Sequence, residues 1–560
     1  MHPTGIEQSL PCILIIVVTL AVPCRSTSQN LSAIGETDPL HVGGSVSARA
    51  VIYSADEIRN RREPFSWVLN GTVNVNVYDV DLPFSFTYSE QERDFSQPFN
   101  QFGASPTWKW MRGHVGYRSI TFSPYTLAGH QFLGGALEGN PGLFRFGLMY
   151  GRLQRAVQED TAAGRFTLPA YERTGYAGRL GVGNSADYFD VIFLKAKDDA
   201  SSLRQPPRTA LVLPGENLVL GFTGSAEIVQ GLRLSVDAAA SDYSRDIRSQ
   251  TVAGEENSHL AAFQGVSETR TSTQFYTAVK AGVAWTMQRF GITGTYNRID
   301  PDYQSMGAYN MMNDLQSFAL GPRLVLFDGA ARVNATFTYR HDNLQNKKRA
   351  TTRRFMPVVA IAILPAPQWG LDIQYTDVMT SQVDGYARLN DTTLLDQSNP
   401  MVSLMPRYSF TSGSASHSFL LGVMLQQLHD NNAFTSRYAE YNTTNFNLSY
   451  TLALSKLQFS LTAGGNTTRL ENAGGVYRNS GLSLSATKSL FDQALRLNAS
   501  SGYSFHNAGS TFTASAGAGY ALQRRHSFSA QASFVRSTAG YYAKDSFSEI
   551  TLVLGYAYTF

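Results

Sequence analysis

From Ile550 to Phe560 the chain reads Ile-Thr-Leu-Val-Leu-Gly-Tyr-Ala-Tyr-Thr-Phe, with large apolar residues on every second position. A β-strand sends successive side chains to opposite faces. Ile550, Leu552, Leu554, Tyr556, Tyr558 and Phe560 therefore form one continuous apolar stripe, while Thr551, Val553, Gly555, Ala557 and Thr559 behind it are small or polar. A strand with hydrocarbon on one side and a lumen on the other needs that division. The same period recurs far upstream. Leu495, Leu497, Ala499, Ser501, Tyr503 and Phe505 oppose Arg496, Asn498, Ser500, Gly502 and Ser504; Phe446, Leu448, Tyr450, Leu452 and Leu454 oppose Asn445, Asn447, Ser449 and Thr451. Val333, Ala335, Phe337 and Tyr339 oppose Arg332, Asn334, Thr336, Thr338 and Arg340, and Phe275, Val279, Val283 and Trp285 oppose Gln274, Lys280 and Gly282.

The punctuation between these runs sets an orientation. Asn140-Pro141-Gly142, Asn184-Ser185-Ala186-Asp187, Phe327-Asp328-Gly329, Ser455-Lys456 and Leu490-Phe491-Asp492-Gln493 carry turn chemistry. They are expected to alternate strictly with long polar connections: Gln154–Arg173, Asp198–Gly215, Ser244–Arg270, Asp342–Thr352, Thr380–Pro400 and Asp430–Tyr441. Transmembrane barrels have short periplasmic turns and long external loops. Counting back from Phe560 predicts an all-β fold, a single large antiparallel transmembrane β-barrel of about 26 strands, within roughly 22 to 28. The stretch Phe102–Phe122 is divided into two strands at Met111-Arg112-Gly113. A secreted sandwich array or propeller would use shorter strands, of about five or six residues.

The composition suits a barrel. The chain is 43% hydrophobic and 12% aromatic, its mean hydropathy is −0.18, and no interior run of about 18 apolar residues marks a spanning helix. A net charge of +3 over 560 residues argues against nucleic acid as a partner. The only cysteines, Cys12 and Cys24, lie in the N-terminal apolar segment. With Ile13–Val22 as the core of a signal peptide and cleavage after Ser28, a mature chain would hold no thiol. The alternative, lipidation of Cys24, has Pro23 against it. The expected organisation is a signal peptide over 1–28, a short segment over 29–45 and an outer-membrane barrel over 46–560.

Tyr556, Tyr558 and the final Phe560 resemble the signal read by the barrel-assembly machinery. The stretch Pro98–Arg152, with Pro98-Phe99-Asn100-Gln101-Phe102-Gly103, Trp108-Lys109-Trp110, Gly116-Tyr117-Arg118-Ser119 and Phe122–His130, resembles a functionally unassigned, porin-like group of Gram-negative outer-membrane barrels. The resemblance covers about a tenth of the chain and implies no activity. Ser123–His130 is too rich in turn formers for a plain loop. It is a candidate constriction through Ser123, Pro124, Tyr125 and His130, folded inward with Arg118. An ordered external hairpin with interfacial aromatics fits the same residues.

Parity alone nominates Arg145, Glu227, Arg233, Asp237, Lys280, Arg332, Arg340 and Arg496 as lumen-facing, because a charge against lipid costs about 2–4 kcal/mol at mid-membrane; Arg118 joins them through the inward fold of Ser123–His130. Such groups either select solutes or brace the interior through ion pairs. His259, His341, His417, His429, His506 and His526 are scattered, and no nucleophile elbow, metalloprotease helix, phosphate loop or calcium loop accompanies them. The neighbours in His341-Asp342 and His429-Asp430 point to opposite faces of a strand. The chain thus carries no recognisable catalytic, cofactor or metal motif. The expected partners are outer-membrane lipid, the assembly machinery, and a protein partner or lumen plug. The expected function is a channel or transport barrel for solutes or a macromolecule in the Gram-negative outer membrane, the alternative being a non-conducting structural or assembly component.

Overall fold

The structure, a computed structural model, describes residues 40–78, 80–90, 101–159, 167–207, 212–252, 267–309, 311–539 and 546–560. The proposed signal peptide, most of the segment 29–45, and Pro98-Phe99-Asn100 lie outside the described residues. The chain forms a closed antiparallel β-barrel of 26 strands. Closure comes from the first strand, Leu40–Asp56, pairing with the last, Phe547–Thr559, from Ser45↔Thr559 to Asp56↔Ser548. Phe560 extends that ladder by exchanging two backbone hydrogen bonds of 3.0 Å with Gly44. Every other strand pairs with its neighbours in sequence.

Three wall strands are interrupted. Gln101–Ala104 and Thr107–Trp108 together make one, Trp369–Thr376 and Met379–Asp384 another, and Asp396–Ser398 with Met401–Ser412 a third. The turn after the first of these falls at Lys109-Trp110, and Met111 opens the next strand, Met111–Thr121. The division expected at Met111-Arg112-Gly113 is therefore two residues late. Lys109 takes φ 52°, so the reversal is made by a non-glycine residue in the left-handed region, and turn composition did not mark it.

The alternation of short and long connections holds along most of the chain and fails twice. Ala473-Gly474 and Asn507-Ala508 are two-residue hairpins on the external side, so short turns are not confined to the periplasm. The strands flanking them are fully paired over 14 and 12 positions. No bulge or loop is needed to join them.

The outward face is the apolar one. Leu148, Tyr150, Leu180, Val182, Phe189, Val191, Phe446, Leu448, Leu482, Leu484, Leu554 and Tyr556 are all exposed on the outside of the wall. A closed wall with that belt makes its ladder hydrogen bonds internally and offers hydrocarbon side chains. This is an outer-membrane β-barrel.

The two faces of one mid-strand position provide the test. Leu448→Arg puts a charge against lipid near the centre of Tyr441–Leu454, at a cost of about 2–4 kcal/mol, and should sharply reduce the heat-modifiable folded species. Asn447→Arg, facing the lumen one residue away, should leave assembly near the parent level.

Candidate functional site

The barrel is not uniformly hollow. Its inner face carries a buried apolar cluster that includes Ile120, Phe122, Tyr125, Leu127, Phe132, Leu153, Ile192, Leu194, Val219, Tyr276, Tyr303 and Met306. Every member lies between Ile120 and Leu315. Two connections supply the part of this cluster that is not wall: residues 122–127, after Met111–Thr121, and residues 300–314, after Phe290–Ile299.

The first connection folds on itself through polar side chains. Phe122 N–H donates to Leu127 O at 2.8 Å, the hydroxyls of Ser123 and Thr126 meet at 2.9 Å, and Tyr125 N–H donates to Ser123 Oγ at 3.3 Å. With its backbone turned inward in this way, the loop inserts its side chains. Thr126 and Leu127 are fully buried, Ser123 and Tyr125 nearly so, and Pro124 is exposed. Tyr125 Oη donates to Asn297 Oδ1 on Phe290–Ile299 at 2.6 Å. Thr126 Cγ2 lies 2.7 Å from where a Cβ on Gly221 would sit, so glycine there makes room for the loop. Burial, with the nearby Asp237 charge adding to it, pushes the Tyr125 phenol up to about 12, and it remains a donor at neutral pH.

The second connection locks onto the first. Tyr303 Oη donates to Tyr125 O at 2.6 Å, Ser305 Oγ to Thr126 O at 2.5 Å, and Ala128 N–H to Gly307 O at 2.9 Å. The Tyr125 and Tyr303 rings meet edge-on at 6.3 Å, and His130 stacks on Tyr309 at 3.9 Å. The wall holds this loop through Asn217. Its amide donates to Ser241 Oγ at 2.8 Å and Asp242 O at 3.1 Å while its Oδ1 accepts from Met306 N–H at 3.0 Å. Ser241 Oγ in turn donates to Gln304 O at 2.7 Å. Residues 300–314 were not singled out in the sequence, although Asp300-Pro301-Asp302 and Gly307 punctuate them. The two loops form one strap along the inside of the wall.

The lumen-facing charges fall into two groups. Arg145 forms a bidentate pair with Asp190, at 2.8 and 3.0 Å. Arg233 meets Asp187 at 3.1 Å and Glu227 at 3.5 Å, Asp237 accepts from Thr223 Oγ1 at 2.6 Å, and Arg118 donates to Ser85 Oγ at 2.8 Å. Lys280 lies opposite Asp237 in the ladder. The pair Arg173–Asp198, at 2.7 Å, belongs to the same braced arc, at strand tips where parity does not assign a face. Arg332, Arg340 and Arg496 form no ion pair among the described residues. Arg332 and Arg340 lie on Ala331–His341, beside the strand that carries Leu315 of the buried cluster, and Arg496 lies on the far arc, where the inner face from Tyr441 onward is built from small polar residues such as Asn447, Ser483, Asn498 and Thr513. Hydroxyl and amide pairs tie neighbouring strands there: Asn445–Thr468 at 2.6 Å, Ser500–Ser515 at 2.8 Å and Thr451–Thr462 at 3.0 Å.

No protein-family model matches the chain, and no curated protein matches it. Solved structures similar over most of their length include the P pilus usher PapC translocation pore, at 10% identity and a TM-score of 0.38, with 93% of this chain and all of that one covered. Others are OccK2 (OpdF) of Pseudomonas aeruginosa in complex with glucuronate, at 10% and 0.29, covering 92% and 98%, and OccAB2 of Acinetobacter baumannii, at 9% and 0.30, covering 93% and 98%. Likenesses at these scores carry no weight in the functional reading, which rests on the wall and lumen of this chain.

Two outcomes test the strap's anchoring. Asn217→Ala leaves Met306 N–H and its neighbours without their buried partner, a loss of about 1–3 kcal/mol. Protease should cut the intact barrel within 300–309 in this variant and not in the parent. The second test is acid. Asp314 ends the strap loop, and burial, which alone would raise its pKa, is outweighed by Lys348 and by the N–H groups of Leu344 and Asn343, so the carboxyl lies below its ordinary value. A depressed carboxyl stabilises the fold above its unfolded pKa and loses that contribution as pH falls through the folded one. Cleavage near residues 342–349 should therefore stay constant from pH 7 to about 4 and rise below it.

Proposed function

We propose that this outer-membrane barrel is a transport channel whose bore is narrowed by the two-loop strap, with solute passing through the part of the lumen that the strap leaves free. The observation that carries this reading is the buried apolar cluster inside the wall, confined to Ile120–Leu315. A barrel of 26 strands encloses a lumen far wider than its own side chains can fill. Left open, it would leak. The strap occupies one side and leaves the rest of the lumen, from its own edge to the hydroxyl- and amide-lined wall, for passage. Ser123, Tyr125 and His130 act as part of this constriction, while Pro124 lies at its surface.

The interior position of the strap also gives a reason for its composition. Tyr125, Leu127, Tyr303 and Met306 pack as they would in a soluble core, and the carbonyls of Tyr125 and Thr126 are satisfied by Tyr303 and Ser305. A loop in contact with bulk water needs neither feature.

The experiment is single-channel recording of the purified, heat-modifiable barrel in a planar bilayer, beside Tyr303→Phe/Ser305→Ala. The double variant loses both hydroxyls that tie the loops together, and it should show larger or noisier conductance steps than the parent. Equal, large and steady conductance in both proteins would remove the constriction. Silence in both would favour the non-conducting, assembly-component reading.

A further inference from the structure

Four arginines stand apart from the ion-paired groups. Arg323 lies on Leu315–Leu326, Arg332 and Arg340 on Ala331–His341, and Arg354 on Ala350–Ala366, three adjacent wall strands. On these strands Phe318, Leu320, Leu324, Phe337, Tyr339 and Phe355 are exposed to the outside. Parity therefore sends all four guanidinium groups into the lumen. None of them lies within ion-pair distance of a carboxylate among the described residues, whereas the lumen acid on the next strand, Asp372, is already paired with Arg407 at 2.9 Å.

Their arrangement is costly without a counter-charge. Arg340 and Arg354 are direct cross-strand partners, and like charges directly opposite destabilise a sheet. Arg354 Nε is buried with no hydrogen-bond partner. Arg323 faces Asn334, two residues from Arg332 on the same face. Between the two clusters the lumen side of Ala331–His341 carries only Asn334, Thr336 and Thr338. Arg332 and Arg340 are eight positions apart, or about 26 Å of strand, so one basic cluster sits toward each mouth. The stripe adjoins the strap, since Asn297, which receives Tyr125, is opposite Ser317, and Ser317 is opposite Arg340.

We infer that this stripe is a recognition track for oxyanionic solutes, those bearing carboxylate or phosphate groups, which pass between the two arginine clusters along the edge of the strap. The inference rests on the transport reading and specifies its substrate class. A planar guanidinium holds an oxyanion through two parallel hydrogen bonds, and rings of arginine are the usual means by which a pore prefers anions. The paired arginines on the strap's own arc, Arg145, Arg173 and Arg233, have their charge cancelled by aspartates and brace the wall.

The test is the reversal potential of the full barrel under a potassium chloride gradient, with inorganic phosphate as the probe ion. The parent should be anion-selective, and added phosphate should lower its chloride conductance. Arg340→Gln/Arg354→Gln should shift the reversal potential toward zero and lose the phosphate effect, while Arg340→Lys/Arg354→Lys keeps the selectivity and weakens the phosphate effect. Arg353→Gln, on the lipid side of the same strand, should change neither, and heat-modifiability confirms that each variant is assembled. Cation selectivity in the parent, or an unchanged reversal potential in the glutamine variant, would overturn the inference while leaving the channel intact. Absence of conductance from the parent and from the strap-loosened Tyr303→Phe/Ser305→Ala would overturn the transport reading and this inference with it.

Discussion

A wall in hydrocarbon cannot leave a backbone hydrogen bond unmade. In this chain the requirement falls on one seam, between Leu40–Asp56 and Phe547–Thr559. If those strands did not meet, each would expose an unpaired edge to lipid. The ladder at the seam runs through Ala48↔Tyr556 and Ala50↔Leu554, which sets small residues beside large ones on the outer face. The terminal Phe560, bonded to Gly44, extends the same pairing. Everything inside the barrel presupposes that closure, because only a closed wall creates a lumen that loops can enter.

Closure at 26 strands poses a second problem, since the ring encloses more space than inward side chains can fill. The structure answers it asymmetrically. Along one arc the wall turns apolar inside as well as outside: Ile192, Leu194, Val219 and Ala278 face the lumen and are buried by the strap. Along the other arc, from Tyr441 onward, the inner face stays small and polar. The charges follow the same division. Where the lumen is filled, Arg145, Arg173 and Arg233 are matched by aspartates, as an interior with little water demands. Beside the strap, Arg323, Arg332, Arg340 and Arg354 have no carboxylate within ion-pair distance among the described residues.

Period-two alternation made the wall legible from sequence. At Leu448 and Asn447, or Phe337 and Thr336, one residue faces lipid and the next water, and that contrast is strong enough to read strand by strand. It fails where both faces are apolar, as near Ile192 and Leu194, because parity then has nothing to distinguish. It also fails at tight reversals such as Lys109-Trp110 and Ala473-Gly474. The first carries no marked turn residue, and the second is a short turn on the side where long loops prevail. The residues Ser123, Tyr125 and His130 were visible as a patterned segment, but their partners were not. Tyr303 is 178 positions away from Tyr125 in the chain, and no local pattern can announce a contact at that separation. Which lumen charges would be paired was equally out of reach: Arg145 and Asp190 lie 45 residues apart, on strands that become close only through the intervening one.

Residues 122–127 lie inside a closed wall, and a covalent link between loop and wall reports that position. Thr126 Cγ2 sits 2.7 Å from the position a side chain at Gly221 would start from, so cysteines at these two sites fall within the span a disulfide bridges. Thr126→Cys/Gly221→Cys, assembled in the outer membrane and treated with a mild oxidant, should cross-link in the heat-modifiable species. Both thiols should resist a bulky impermeant reagent beforehand. Rapid external labelling of the cysteine at 126, with no cross-link in the folded barrel, would place the loop outside the wall and rule out the strap.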